Sequence, residues 1–290
     1  EHELGVSPES WSYIRPQSFI ENYRNQTTQE QRERYANVDW QDALFKNSAM
    51  SYNANVNVSG GTSFVKYFAS ADFVHEGDLF REYDNGRNYN SGYGYNRINV
   101  RSNLDFSITK TTTLKVNVSG SNGVRKAPWS NMSNSEWQIG QQWAGAYNIA
   151  PDVFLPQYSD GSWGYYPNAS NVSNSAQNLA IGGTAQATTT RINTDFTLEQ
   201  KLDFITKGLS ATGMATFYNR VYSAVYRSFT PFMYQLTDYN IDEAGNYSYT
   251  SNSTNTGTTY LGTTRGKDGY RELAFQAKID YARTFGKHDV

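Results

Sequence analysis

Strict alternation of apolar and polar side chains constrains how this chain can fold more than any other feature does. Between Met50 and Ser59, every even position is apolar and every odd position is serine or asparagine. A period of two places successive side chains on opposite faces of an extended strand, so this segment is predicted to be a β-strand with one apolar face. The alternation recurs, and seven strands are predicted at residues 50–59, 64–74, 95–108, 113–121, 188–202, 209–227 and 271–284.

The connections between these strands alternate in length. Short turns at 60–63, 109–113, 203–208 and 286–289 alternate with long loops at 75–94, 122–187 and 229–270. Short turns on one side and long loops on the other are typical of outer-membrane β-barrels, whose strands cross the hydrocarbon layer with about 9–11 tilted residues. The predicted fold is therefore all-β: an antiparallel transmembrane β-barrel section with long extracellular loops.

Seven strands do not close such a barrel by themselves. Val290 follows the last turn and is interpreted as the first residue of a further strand, a stub. Barrels of one chain have an even number of strands, and an open sheet edge in lipid leaves backbone groups unpaired. We therefore expect residues 50–290 to be part of a larger barrel and residues 1–49 to be an extracellular loop region with short helices.

The two faces of the predicted sheet differ in charge. The polar face carries charges of both signs, for example Arg97, Arg101 and Asp105 on one strand. In a barrel this face lines a hydrated interior and the apolar face contacts lipid. A soluble β-sandwich also alternates, with its apolar faces packed together. The alternative is therefore a soluble or surface carbohydrate-binding or adhesin β-domain.

Composition excludes several other functions. Lysine and arginine number 25 against 27 acidic residues, so the chain has no basic field for nucleic acid. It has no cysteine, and its three histidines are scattered, so we expect no cofactor, no metal and no catalytic triad. Asp238, Asn240 and Asp242 have the spacing of calcium ligands, but Glu243 occupies the position that requires glycine, and a hairpin turn around Gly245 is expected instead. The chain is expected not to be an enzyme.

Several segments together carry a resemblance to a known family. They are Asp39-Trp40-Gln41, the runs NVNVSGGT at 55–62 and KYFAS at 66–70, and the later runs YNRINVRSNLD at 95–105 and VNVSG at 116–120. In this order and spacing they resemble the barrel of SusC/RagA-like TonB-dependent transporters. The resemblance is best over 38–125, recurs at 150–205, and is weak at 1–35 and 229–270.

The resemblance implies a function that composition alone does not. Transporters of this family have a barrel of about 22 strands around an N-terminal plug. A SusD-like surface lipoprotein covers the barrel, and energy from TonB drives import of oligosaccharides or peptides across the bacterial outer membrane. We expect this chain to be a section of such an importer, with the plug and the segment that contacts TonB outside it. The identity of the cargo, glycan or peptide, stays open.

The predicted loop 122–187 holds most of the candidate binding residues. Aromatic rings with polar edges can stack on sugars or pack against peptides. The same rings could instead pack within the loop or contact the lipoprotein, and all three interpretations stay open. A short helix is predicted at Ser133–Asn148 within this loop. The ligand- or partner-binding candidates are Trp129, Trp137, Trp143, Tyr147, Tyr158, Trp163, Tyr165 and Tyr166.

Overall fold

Seven long strands form one antiparallel sheet in which each strand pairs with the next along the chain. The computed structural model describes residues 16–83, 92–128, 135–165, 174–229, 232, 234–235, 250–251, 262–286 and 288–289. The strands of the sheet, in spatial order, are β1 (Ser51–Gly61), β2 (Val65–Glu76), β3 (Gly94–Ser107), β4 (Thr112–Pro128), β5 (Gly183–Lys201), β6 (Leu209–Ser228) and β9 (Gly262–Tyr281). The predicted antiparallel all-β fold is confirmed.

Short elements complete the described part of the chain. Two ribbons of two-residue strands pair β7 (Tyr234–Gln235) with β8 (Thr250–Ser251) and β10 (Thr284–Phe285) with β11 (His288–Asp289). Val290, the predicted stub, lies outside the described residues. No helix among the described residues is long and apolar enough to span a membrane. The helices are α1 (Gln17–Arg24), α2 (Gln29–Arg34), α3 (Trp40–Leu44), α4 (Ser135–Asn148) and α5 (Ser175–Ile181).

The strand register aligns the apolar positions of neighbouring strands across the whole sheet. Directly paired residues lie on the same face, so each row of partners belongs to one face of the sheet. One apolar row reads Tyr67, Leu104, Val116, Phe196, Ala215 and Phe275. One row on the opposite face reads Asn55, Asp72, Asn99, Ser121, Arg191, Arg220 and Tyr270. The sheet therefore has one apolar face and one polar face, as the sequence predicts.

The apolar face is open. The side chains of Val56, Phe275 and Ile279 are 67%, 79% and 74% exposed. Within the described residues, only the two-residue ribbons lie outside the large sheet, so no second sheet packs on this face. A β-sandwich requires such a partner sheet.

Three strands continue at least five residues beyond their predicted bounds. β4 runs to Pro128, β5 begins at Gly183 and β9 begins at Gly262, so they shorten the predicted loops. In these extensions the face that is apolar elsewhere carries Lys126 in β4, Gln186 in β5 and Arg265 in β9. The hydrophobic period is lost there although backbone pairing continues, which is why alternation did not reveal the strand ends.

Side chains and glycines close the short turns. Thr109 Oγ1 accepts hydrogen bonds from the backbone N–H groups of Thr111 at 3.1 Å and Thr112 at 2.9 Å. Gly208 has a φ of +85°, and a Cβ there would lie 2.0 Å from the carbonyl oxygen of Ala282, so the turn before β6 requires glycine.

The only hydrophobic core that the described residues form lies at the loop end of the sheet. It gathers side chains from α3, α4, α5 and the loop segments around Phe80 and Phe154. Four alanines at the loop end of the polar face are buried: Ala127, Ala185, Ala187 and Ala224. The loop structure therefore folds over the polar face of the sheet and leaves the apolar face uncovered.

The exposed apolar face predicts asymmetric effects of adjacent substitutions on β9. Phe275→Arg places a charge on the apolar face, where the predicted barrel contacts lipid and arginine costs roughly 2–4 kcal/mol near mid-membrane, whereas Gln276→Arg places it on the polar face. In the full-length parent protein, we expect Phe275→Arg to reduce the folded, heat-modifiable band and the amount in the outer membrane, and Gln276→Arg to leave both near wild type. Equal losses in the two variants would contradict the assignment of the faces.

Candidate binding surface formed by the loops

The segment around α3 connects the N-terminal region to the predicted binding loop. Asp39 caps the helix by accepting hydrogen bonds from the N–H groups of Gln41 and Asp42, both at 3.0 Å. This cap places Trp40 inward, where its ring meets Phe154 edge-on at 5.1 Å. The Trp40 indole N–H donates to the carbonyl oxygen of Ala150 at 3.3 Å. Residues that carried the family resemblance therefore hold the loop in place.

A second connection joins the end of α3 to the segment after β2. The N–H of Arg81 donates to the carbonyl oxygen of Leu44 at 2.8 Å, and Phe45 and Phe80 form an isolated antiparallel bridge. The Arg81 guanidinium also pairs with Asp42 at 2.8 Å. Because both charged side chains of this pair are largely exposed, the backbone bonds contribute more to this connection than the ion pair does.

Aromatic rings fill the space between these segments and α4. The ring of Trp143 lies 4.5 Å from that of Phe45 and 5.6 Å from that of Phe80. Phe80 in turn stacks on Tyr93 at 5.0 Å. The Tyr83 hydroxyl donates to the carbonyl oxygen of Ala43, and burial, the largest influence, raises the pKa of Tyr83 to about 12. These rings hold the loops as one packed unit.

Asn174 organises the end of the predicted loop. Its Nδ2 donates to the carbonyl oxygens of Pro156 at 2.7 Å and Gly164 at 3.0 Å, and its Oδ1 accepts from the N–H of Gln177 at 3.0 Å. The side chain is buried, so these bonds replace water for both backbone groups. A single residue thus caps α5 and holds the 156–164 segment.

The structure places the predicted aromatic candidates in different environments. Trp143 is partly buried against the loop core, Trp163 and Tyr158 are buried, and Tyr165 is partly buried. Tyr147 is 63% exposed on α4. The backbone of Trp137 lies in α4, but its side chain is not described, and Trp129 and Tyr166 lie outside the described residues.

Burial separates these aromatic residues by what they can contact. Trp163 meets Tyr83 edge-on at 6.5 Å and belongs to the core, whereas Tyr147 faces outward and is available to a partner or cargo. Their roles in binding stay predictions. The possible calcium ligands Asp238 to Asp242 also lie outside the described residues, and elsewhere in the described chain no three acidic, histidine or cysteine residues gather.

The polar face of the sheet offers a second candidate surface below the loops. Ion pairs cross it, Lys115 with Glu199 at 2.6 Å and Arg220 with Asp268 at 2.8 Å. Hydroxyl and amide groups bind other carboxylates there, as Thr216 Oγ1 does to Asp195 at 2.8 Å. A cleft of about 430 Å³ on this wall includes Asp72, Asn99, Arg101, Arg191, Asn193 and Tyr218.

Two buried polar residues have little signal in the sequence. Glu33 and Asn174 are 5% and 2% exposed, yet both stand in polar stretches that are typical of solvated loops. Burial of Glu33 depends on the 155–159 segment, more than a hundred residues away, and no local pattern encodes that contact. The only local signal for Asn174 is its capping position before an apolar helix.

Comparison with known proteins finds similar sequences and structures. No family model matches the chain. It is 26% identical over 129 residues to TonB-dependent receptor P3 of Formosa agariphila, a match that covers 44% of this chain and 12% of that protein. It is also similar to a solved structure of the RagAB peptide importer in its closed-closed state, with a TM-score of 0.55, 18% identity, and coverage of 87% of this chain and 24% of that one.

These matches confirm the resemblance at the level of fold. The seven-stranded sheet and its loops share the architecture of part of the RagAB structure, although the identity is low. The chain spans about an eighth of the curated relative and about a quarter of the solved chain. Two further RagAB structures also match, with TM-scores of 0.35 and 0.33.

The Asn174 network predicts a local loss of stability. Asn174→Ala removes three hydrogen bonds and leaves buried backbone groups unpaired, which should lower the free energy of local opening by about 2–4 kcal/mol. The measurement is hydrogen exchange at the Gln177 and Gly164 amides in the full-length protein. Asn178→Ala, one turn along the same helix, is the control and should change exchange by less than about 0.5 kcal/mol. Similar protection in the two variants would rule out the network as the organiser of this loop.

Burial of Asp78 predicts a pH dependence in the loop after β2. Burial, the largest influence, raises the pKa of Asp78 above the ordinary value of 3.8, against the lowering effect of the Leu79 N–H that donates to it. The folded loop therefore binds a proton more tightly than the unfolded loop does, and its stability falls as pH rises through the folded pKa. Asp78→Asn should slow exchange of the Arg81 amide relative to wild type at pH 7.

The same comparison at about pH 3 supplies the internal control, because both states of Asp78 are then mostly protonated. The difference between Asp78→Asn and wild type should shrink there. Exposed Glu76 provides a matched carboxylate, and Glu76→Gln should leave the Arg81 amide unchanged at both values. A benefit of Asp78→Asn that is the same at both pH values would exclude the protonation mechanism.

Proposed function

We propose that this chain is a section of an outer-membrane TonB-dependent importer that takes up oligosaccharides or peptides together with a SusD-like surface lipoprotein. The observation that carries the proposal is the two-faced sheet, with an apolar face left open and a charged face covered by loops at one end. The fold likeness to the RagAB peptide importer supports the same conclusion.

The open apolar face supports placement in a lipid bilayer. The rows of this face nearest the short turns are mainly apolar, and their large side chains stay exposed. Water is a poor solvent for so large an apolar surface, and a soluble monomer rarely exposes one. Lipid solvates such a surface, and the hydrogen-bonded strands satisfy the backbone groups that lipid cannot. A soluble or adhesin β-domain would have to cover this face with residues outside the described part of the chain.

The polar face supports a hydrated passage. Its charges are arranged as cross-strand pairs, such as Lys115 with Glu199, with hydroxyl and amide groups between them. Such a surface stays wetted and binds polar solutes weakly, which suits a conduit because a solute must leave as readily as it enters. The proposal assigns this wall to the inside of the barrel.

The loop unit, which comprises α3, α4, α5 and the segments around Phe80 and Phe154 that share one core, supports contacts with cargo and lipoprotein. Its core fixes the positions of outward residues such as Tyr147, so the outer surface presents a firm platform. Aromatic and amide side chains on a fixed platform suit both sugars and peptides. We propose that exposed Tyr147 of α4 faces the lipoprotein or the cargo, and that Trp163 and Tyr158 hold the platform in shape.

Purification of the tagged full-length parent protein from its native outer membrane tests the proposal. We expect it to require detergent for extraction, to migrate differently on gels before and after heating, and to co-purify with a surface lipoprotein. Mass spectrometry of the bound material should then find either a glycan or a peptide. Recovery of the protein in the soluble fraction without detergent would overturn the proposal.

A further inference from the structure

A second cleft lies in the loop unit, away from the wall of the sheet. It opens between α2 and the segment 155–159 and has a volume of about 410 Å³. This volume lies in the range of roughly 300–1,000 Å³ that small-ligand sites occupy. Its lining includes Gln26, Gln29, Arg32, Glu33, Gln157 and Tyr158.

Glu33 forms the charged part of this cleft and is only partly satisfied. It is 5% exposed, and its Oε1 accepts hydrogen bonds from Gln29 Nε2 at 3.2 Å and from the N–H of Ser159 at 3.1 Å. Its buried Oε2 has no hydrogen-bond partner among the described residues, and no described cation lies within ion-pair distance of either oxygen. Buried carboxylates are rarely left without a partner for one oxygen, because the free-energy cost of removing the charge from water must be offset by hydrogen bonds or an ion pair.

Each of three glutamine amides of the cleft donates one hydrogen bond within the protein. Gln26 Nε2 donates to the carbonyl oxygen of Tyr35, Gln29 Nε2 to Glu33, and Gln157 Nε2 to the carbonyl oxygen of Gly161 at 3.0 Å. Each amide keeps its carbonyl oxygen as an acceptor, and these side chains line the same cleft as Glu33, whose buried oxygen is unpaired in the described part of the chain. The cleft therefore offers hydrogen-bond acceptors and a carboxylate, which suit a donor that carries positive charge.

We infer that this cleft binds the ammonium or guanidinium group of a lysine or arginine side chain in a short peptide. Such a group donates several hydrogen bonds at once, and its charge compensates the buried carboxylate. Tyr158 supplies a ring beside the aliphatic stem of the side chain, and exposed Arg32 at the opening suits the acidic or carbonyl groups that follow in the peptide. Sugar hydroxyls also donate hydrogen bonds but bring no charge. The inference deepens the proposed function, on which it rests, by naming the chemistry of the cargo.

Two matched peptides test the inference on the purified full-length protein in detergent. The probes are acetyl-Ala-Lys-Ala-amide and the same peptide with norleucine in place of lysine, which keeps the aliphatic stem but removes the charge. By calorimetry, we expect wild type to bind the lysine peptide at least tenfold more tightly than the norleucine peptide. Glu33→Gln should reduce this ratio to near one, since glutamine keeps an acceptor for the Ser159 N–H but lacks the charge.

Glu30→Gln is the control variant, because Glu30 lies on the same helix, is exposed, and pairs with Arg34 at 3.9 Å. It should keep the tenfold preference. Hydrogen exchange at the Ser159 amide checks that Glu33→Gln preserves the cleft, and the wild-type ratio stands as a test even if the variant fails to fold. Equal binding of the two peptides to wild type, or a ratio unchanged by a folded Glu33→Gln variant, overturns the inference.

A neutral oligosaccharide provides a third arm. If it binds wild type and loses affinity in Glu33→Gln while the lysine peptide does not bind, the cleft recognises hydroxyl groups and the inference fails. None of these results decides whether the parent protein resides in the outer membrane and co-purifies with a lipoprotein. Failure of the proposed function is therefore seen in fractionation, and failure of the inference is seen in the binding ratio.

Discussion

The strand register, which keeps apolar partners opposite apolar partners across seven strands, is the constraint on which the rest of the structure depends. A shift of one residue at any pairing would move the apolar side chains of the strands on one side of that pairing to the charged face. With the register in place, residues such as Leu104 and Phe196 form a continuous band, and the ion pair of Lys115 with Glu199 forms on the other side. The side on which the loops can pack follows from the same constraint, because on the proposed placement the loops must avoid the face that contacts lipid.

The loop unit and the sheet are stabilised by different interactions. The sheet depends on backbone hydrogen bonds and on its surroundings, since its large apolar side chains are not packed against other described parts of the chain. The loop unit instead has a core of its own, in which Trp40, Phe80 and Leu179 are nearly inaccessible. Four buried alanines connect the two, and their small side chains allow the loop backbone to approach the wall closely. Substitution in one part should therefore affect the other mainly through that seam.

The strand bounds and the burial of loop residues could be predicted from the sequence only where neighbouring residues determine them. β1 was nearly complete from alternation alone, because both of its faces keep their chemistry over its whole length. β9 was predicted to begin nine residues too late, because Thr263, Arg265 and Lys267 interrupt the apolar stripe while the strand continues. The aromatic richness of the loop was visible, but burial of Trp163 and exposure of Tyr147 depend on distant segments that fold over one and not the other. Glu33 was invisible for the same reason, since a charged helix such as QEQRER is ordinarily solvated.

The length of β5 and β6 has a consequence for where the loop unit stands. These strands have 19 and 20 residues, about twice what a bilayer requires. The apolar part of each strand lies at the end next to the short turn. Nearly all of the excess therefore projects from one side. With a rise of about 3.3 Å per residue and a tilt near 40°, eight to ten extra residues lift the rim by roughly 20–25 Å. On the proposed placement, the wall continues as a collar above the headgroups, and solutes meet the vestibule at a height that surface lipids do not reach.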